Sequence, residues 1–218
     1  MKKYFYVFIV IVGLGIMGCG HWPWDRGDIE KLGENVIVNP GFEDSLNDWI
    51  IEIDTTGAGE VSSIVGEVNL AIGSSSPNCC SIYTKARVAS DGGWRWCKAE
   101  VMVSQYFSKI PAESKVKADI KHHFFAPTQY PSFMLGCSLQ VYVDSLEWKT
   151  IWHRIVSPDE YDTTSTWGKI EITVDKTING IRFCVTSTSN GVSGSHTGSW
   201  STLWIDDVYV GEIIKEAR

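Results

Sequence analysis

About ten short β-like runs, separated by turn residues and with no sustained helical period, constrain this chain most. Runs rich in apolar and β-branched residues cover 49–53, 60–65, 68–72, 79–86, 99–107, 114–125, 132–145, 148–156, 167–174, 180–187 and 203–210, with alternation at Ile51 and Ile53. Period-two alternation places successive side chains on opposite faces of a strand, and many such runs with regular turn punctuation specify an all-β sandwich. Gly73 to Asn78, the Gly-rich Asp91 to Cys97, and the Ser/Gly/Thr stretch from Ser187 to Ser201 read as loops. No fixed-period repeat and no second domain follow from the 218 residues.

Ahead of these runs, a short β-branched run, Asn35 to Val38, ends at Asn39-Pro40-Gly41, a turn signal. It is followed by Phe42-Glu43-Asp44 and, after a short amide-rich loop, Trp49. A carboxylate beside the exposed carbonyls of a tight turn suits a hard cation. Near the other end, Leu203-Trp204-Ile205-Asp206-Asp207-Val208-Tyr209-Val210 puts one Asp on each face of a strand. Val-Asn-Pro-Gly-Phe-Glu-Asp…Trp, the Gln-containing run Val103 to Phe107 with the Ile110-Pro111-Ala112 turn, and this last run together resemble the jelly-roll carbohydrate-binding modules of the cellulose- and xylan-binding type, families four, nine and twenty-two, with a galactose-binding-like fold. The resemblance spans residues 35 to 211. It implies a structural calcium held by the Gly41 carbonyl, Glu43 and Asp206, tying the start of the sandwich to its last strand. It also implies glycan binding through aromatic stacking, either on the concave sheet face or at loop tips.

Residues 1–18 carry Lys2 and Lys3, then a 14-residue apolar segment from Tyr4 to Met17. That is too short to span a bilayer and fits an export signal. The ending Ile16-Met17-Gly18-Cys19 looks like a bacterial lipobox, which implies a diacylglyceryl anchor on Cys19 and a location at the cell envelope. The expected organisation is a signal peptide over 1–18, a tether over 19–34, the sandwich over 35–211 and a tail over 212–218. Past the signal, 17 basic side chains (19 less Lys2 and Lys3) face 26 acidic ones. This acidic balance argues against nucleic acid as a partner. A monomer is expected.

Ten Trp is a high count, and aromatic rings suit the flat apolar faces of sugars. Three sets of glycan-binding candidates stand out. Trp94, Arg95 and Trp96 lie in a Gly-rich loop. His122 and Phe124, with Gln140 and Tyr142, occupy alternate strand positions that could line the concave face. Trp148, Trp152 and Trp200 are further possibilities. Past Cys19 there remain Cys79, Cys80, Cys97, Cys137 and Cys184, and an exported chain can keep disulfides. Adjacent Cys79 and Cys80 point to opposite faces, so one of them is expected to reach Cys97. Cys137 and Cys184 read as a cross-strand pair or as two core thiols. No Cys-x-x-Cys supports zinc. No paired carboxylates, Gly-x-Ser-x-Gly or His-Glu-x-x-His support an enzyme. The expectation is therefore a non-catalytic, surface-tethered polysaccharide binder. The alternatives are an adhesive surface protein using the same fold for protein contacts, or a glycoside hydrolase or lyase accessory.

Overall fold

The computed structural model describes residues 29–57, 62–75, 77–89, 95–110, 113–125, 135–144, 146–156, 161–163, 166–191 and 196–216. Twelve strands occupy them, and the described residues include no helix. The strands are β1 Ile29–Leu32, β2 Ile50–Gly57, β3 Ser62–Ala71, β4 Cys79–Ala89, β5 Arg95–Ile110, β6 Ser114–Phe125, β7 Leu135–Val143, β8 Glu147–Val156, β9 Tyr161–Thr163, β10 Gly168–Val174, β11 Ile178–Gly191 and β12 His196–Glu216. The chain divides into two compact units, Met1–Lys31 with Ile214–Arg218, and Leu32–Ile213, which holds the sandwich.

The sandwich is a jelly roll of two antiparallel sheets. The larger runs β10-β6-β12-β4-β3, with β9 beside β6; the other is five-stranded, β2-β5-β11-β7-β8. Apolar phases of these strands meet in the interior, where Val101, Val103, Ile120, Leu139, Val141, Phe183, Leu203 and Ile205 are buried. Strand β6 shows the logic. Ser114, Val116, Ala118, Ile120, His122 and Phe124 turn inward, while Lys115, Lys117, Asp119, Lys121, His123 and Phe125 turn outward. The lysine phase must face water.

The run 35–38 is not a strand, although it is fastened like one. Val36 N–H donates to Val210 O, Val38 N–H donates to Gln105 Oε1, and Gln105 Nε2 donates to Val38 O. The turn after it places Asn39, Phe42, Ser45 and Asp48 at φ of 52°, 57°, 64° and 69°. Asn39 tolerates that region and stabilises the loop, donating to Ser45 O and accepting from Asp44 N–H. Phe42 is thereby driven fully inside, stacked 5.1 Å from Trp49, which lies 6.4 Å from Phe183. The Phe and Trp of this stretch are a core plug.

The Ser/Gly/Thr stretch differs from the loop expected of it. Residues to Gly191 extend β11, and those from His196 begin β12. Its inward hydroxyls satisfy one another. Thr84 Oγ1 and Ser187 Oγ are 2.7 Å apart, Ser187 and Ser201 are 3.0 Å apart, and Ser199 donates to Thr188 O at 2.7 Å. Buried polar groups are tolerated when so paired. Thr84 belongs to one sheet and Ser187 to the other. A bond between two such short side chains holds the backbones closer than the ~10 Å usual for stacked sheets. Gly66 repeats the pattern, since a Cβ there would stand 2.8 Å from methyl carbons of Ile53 and Val101.

The expected disulfides are absent, a correction with a geometric cause. Cys79, Cys80, Cys97, Cys137 and Cys184 are buried, unbridged thiols. Cys97 packs on Ala86, whereas Cys80 lies six residues back along the same strand, roughly 20 Å away at strand rise and far beyond disulfide reach. Cys137 is opposite Val185 and Cys184 is opposite Ser138, so on neighbouring strands they face opposite sides of the sheet. Burial pushes the thiols of Cys79 and Cys97 up to about 11 and that of Cys184 up to about 12, which leaves them unreactive at neutral pH.

Candidate functional site

The outward phase of the five-stranded sheet builds the site. On β5 that phase is Trp96, Lys98, Glu100, Met102, Ser104 and Tyr106; on β7 it is Gly136, Ser138, Gln140 and Tyr142. Register aligns them in rows across the sheet. Trp148, Tyr142, Gly180 and Tyr106 form one row. Thr150, Gln140, Arg182 and Ser104 form the next. Ile155, Gly136, Thr186, Glu100 and Asp54 lie further along.

The first row is an aromatic shelf. Tyr106 meets Tyr142 edge-on at 5.7 Å and Trp148 at 5.6 Å, and Tyr142 lies 5.1 Å from Trp148. The rings converge because Gly180 between them has no side chain. A Cβ there would stand 3.1 Å from both Tyr106 and Tyr142 and 3.2 Å from Trp148. Tyr106 remains 51% exposed. The Arg182 guanidinium lies 4.4 Å over the Trp148 ring and donates through Nε and Nη2 to Gln140 Oε1.

On the same face, past Thr150 and Ser138, lies a groove of about 710 Å³ that reaches Trp96, which is 44% exposed. Its walls include Thr150, His153 and Ile155 on one side and Lys98, Glu100 and Thr188 on the other. Glu100 is its electrostatic centre, accepting from Lys98 Nζ, from Thr186 Oγ1 at 3.2 Å and from the Cys184 thiol at 3.4 Å. Burial pushes the Glu100 carboxyl up, but these bonds and the Lys98 charge outweigh it and hold it below the usual carboxylate range. Lys98 also pairs with Asp54 at 3.6 Å. The hydrogen bond to Glu100 raises Lys98 above its ordinary value, against the smaller opposing effect of burial.

Of the residues singled out in the sequence, the structure brings Trp96, Gln140, Tyr142 and Trp148 to this one face. Trp94 lies outside the described residues, and of Arg95 the backbone that begins β5 is described. His122 and Phe124 correct the expectation for the concave face. Both are buried and point into the sandwich from the larger sheet, in phase with Val116, Ala118 and Ile120. Trp152 packs against the core, because a register shift between Leu139 and Gln140 changes the phase of β8. Trp200 lies on the outer side of the larger sheet beside Phe125 and His123. Tyr106, Gly180, Arg182, Lys98, Glu100 and His153 are site residues that the sequence reading passed over. The outward phase of β5 was the available signal for three of them.

The residues of the expected calcium site lie as follows. Asp206 is buried, and its Oδ2 accepts from Ser74 N–H at 2.6 Å and from Ser74 Oγ at 3.1 Å, while Oδ1 accepts from Asp207 N–H at 2.9 Å. Glu43 is exposed. A calcium ion needs six to eight oxygens. Both Asp206 oxygens are already committed to donors, and no three acids, histidines or cysteines gather among the described residues. The start of the sandwich is also tied to β12 by Val208 N–H donating to Pro40 O at 3.0 Å and Asn35 Nδ2 donating to Val208 O at 2.9 Å.

No family model matches the chain, and no curated protein matches it. Solved structures of similar shape include carbohydrate-binding modules. TmCBM61 in complex with β-1,4-galactotriose is 18% identical with a TM-score of 0.38, covering 84% of this chain and 100% of that one. The CBM22-1 xylan-binding domain from Paenibacillus barcinonensis Xyn10C is 10% identical with a TM-score of 0.37, covering 86% and 99%. The enzymatically active domain of bacteriophage CBA120 tailspike protein 4 is 11% identical with a TM-score of 0.41, covering 83% of this chain and 21% of that one. At such identities and scores no function carries over, and the site's chemistry rests on this chain's own residues.

Proposed function

We propose that this chain binds polysaccharide, without catalysis, along the outer face of the five-stranded sheet. The observation that carries the reading is the aromatic shelf of Tyr106, Tyr142 and Trp148 on the same sheet face as a groove that reaches exposed Trp96. Rings offer flat apolar area to sugar faces, while Gln140, Arg182, Thr150, Thr188 and His153 offer donors and acceptors to hydroxyls. A hydrolase needs a carboxyl held protonated as general acid. Glu100 is held ionised instead, and Lys98 stays charged, which unfits it as a lyase base. The protein-contact alternative draws on exposed Ile51, Ile53 and Leu70 along β2 and β3, the edge strands of the two sheets.

Calorimetric titration against a panel of polysaccharides tests the reading, each run with calcium and with chelator. Saturable binding to at least one glycan is expected, weakened about tenfold or more by Trp148→Ala and by Tyr106→Ala. Calcium and chelator are expected to leave the melting temperature unchanged. Binding that survives both substitutions moves the site off this face, and binding to no glycan sinks the proposal. A rise in melting temperature with calcium that is lost in Asp206→Asn would place a cation at Asp206.

Display at the cell envelope through a lipid on Cys19 belongs to the same proposal and rests on the sequence of residues 1–19 alone. Fractionation of cells making the full chain is expected to place it with membranes, and Cys19→Ser to release it. A Cys19→Ser protein that stays with the membranes removes the anchor from the proposal.

A further inference from the structure

We infer that the shelf face selects a glycan bearing carboxylates, that is, one containing uronic acid residues, through the open edge of the Arg182 guanidinium. This rests on the polysaccharide reading and narrows its ligand class.

A guanidinium carries five N–H donors in two forks, one along its side and one at its end. Gln140 Oε1 takes the side fork, from Nε at 2.9 Å and from one proton of Nη2. The parallel N–H pair of Nη1 and Nη2 at the end remains, and among the described residues no carboxylate meets it. That edge matches a carboxylate bidentately, the strongest neutral-pH partner it has. Three features fix it in place. The Gln140 bond sets the plane of the fork, the Trp148 ring lies under it at 4.4 Å, and Gly180 lets the shelf rings close around it. The side chain is partly buried, so an approaching anion meets a cation already stripped of part of its water.

The other charges on the face do not cancel this one. Lys98 is bound to Glu100 and Asp54 in a set that holds its own counter-charges. Glu100 lies opposite Thr186, four residues along β11 from Arg182, roughly 13 Å away at strand rise and past the ~8 Å screening length of physiological salt. Glu52, opposite Met102 on the edge strand, is two strands away and exposed, at roughly 10 Å or more. Beside Trp148, Asp144 and Glu147 line one pocket with Lys149 and Lys176, two acids to two bases, and Arg182 is the one charged side chain of its own row with Thr150, Gln140 and Ser104.

The test pairs each acidic polysaccharide with its carboxyl-reduced form, which keeps the backbone and removes the charge. Polygalacturonate and glucuronate-substituted xylan are suitable probes for calorimetric titration of the full chain at low and physiological salt. The acid form of at least one is expected to bind about tenfold or more tightly than its reduced partner, with the margin shrinking as salt rises. Arg182→Gln is expected to bring the ratio of the two affinities to about one, and Arg182→Lys, which keeps the charge and loses the fork, to an intermediate value. Near-UV circular dichroism checks that the shelf rings stay packed. Equal affinity for acid and reduced forms overturns the inference and leaves polysaccharide binding standing, as does a preference that persists in Arg182→Gln. Binding to neither form of any glycan removes both.

Discussion

Gln105→Leu is expected to destabilise the fold by about 3–5 kcal/mol, a large share of the 5–15 kcal/mol typical of a domain. Gln105 is 4% exposed and makes three bonds to backbone. It accepts from Val38 N–H at 2.8 Å and donates to Val38 O at 3.0 Å and to Asp48 O at 3.1 Å. Leucine keeps the volume and loses all three bonds, leaving three backbone groups without their partner at about 1–3 kcal/mol each, less what water recovers at the margin. The amide stands in for a strand neighbour. It holds both ends of the 38–48 loop, whose Phe42 and adjoining Trp49 plug the core, so its loss frees more than its own contacts. Thermal or urea unfolding measures the effect, and a melting temperature lower by roughly 10 °C is expected. A loss below about 1 kcal/mol would mean that the loop is held by its packing alone.

Gly180→Val is expected to reduce glycan affinity at least tenfold while costing only about 1–3 kcal/mol of stability. The Cβ alone would come within 3.1–3.2 Å of Tyr106, Tyr142 and Trp148, which alanine could meet by a shift of a few tenths of an ångström. The two further methyl groups of valine have no such room. The cheapest relief is outward, by tilting the shelf rings toward solvent and lifting Trp148 from Arg182, since the inward side of the strand is packed core. Titration beside near-UV circular dichroism separates the outcomes. Wild-type affinity with an altered aromatic spectrum would show that sugars do not use the shelf.

Strand phase was legible wherever one phase carries lysines or a solid apolar row. In β7, Leu135, Cys137, Leu139 and Val141 against Ser138, Gln140 and Tyr142 put the right residues on the face. In β6 the same signal was present and points the other way for His122 and Phe124, because Lys117 and Lys121 occupy the opposite phase. What alternation cannot supply is register and sheet membership. The meeting of Tyr106, Tyr142, Gly180 and Trp148 depends on pairings between strands far apart in sequence, and the place of Trp152 depends on a one-residue shift in β8. The 187–201 stretch was misleading because serine scores as loop. Here its hydroxyls are bonded across the interior, a tertiary fact. The cysteines invited disulfides for a similar reason, as compartment suggests pairing while only the fold sets distance.

The bridge from Thr84 to Ser187 makes the sandwich a wedge, thick where Phe42, Trp49 and Phe183 fill it and thin where hydroxyls replace side-chain bulk. Ser187 lies next to Thr186 and Thr188, whose side chains line the groove on the other surface of the same strand. The bridge inside and the groove wall outside thus share one stretch of β11 backbone, so a change at the bridge moves the wall. A lineage or a designer could re-gauge the groove for a thicker or thinner polymer by changing residues no ligand ever touches, leaving the contact chemistry of the face intact.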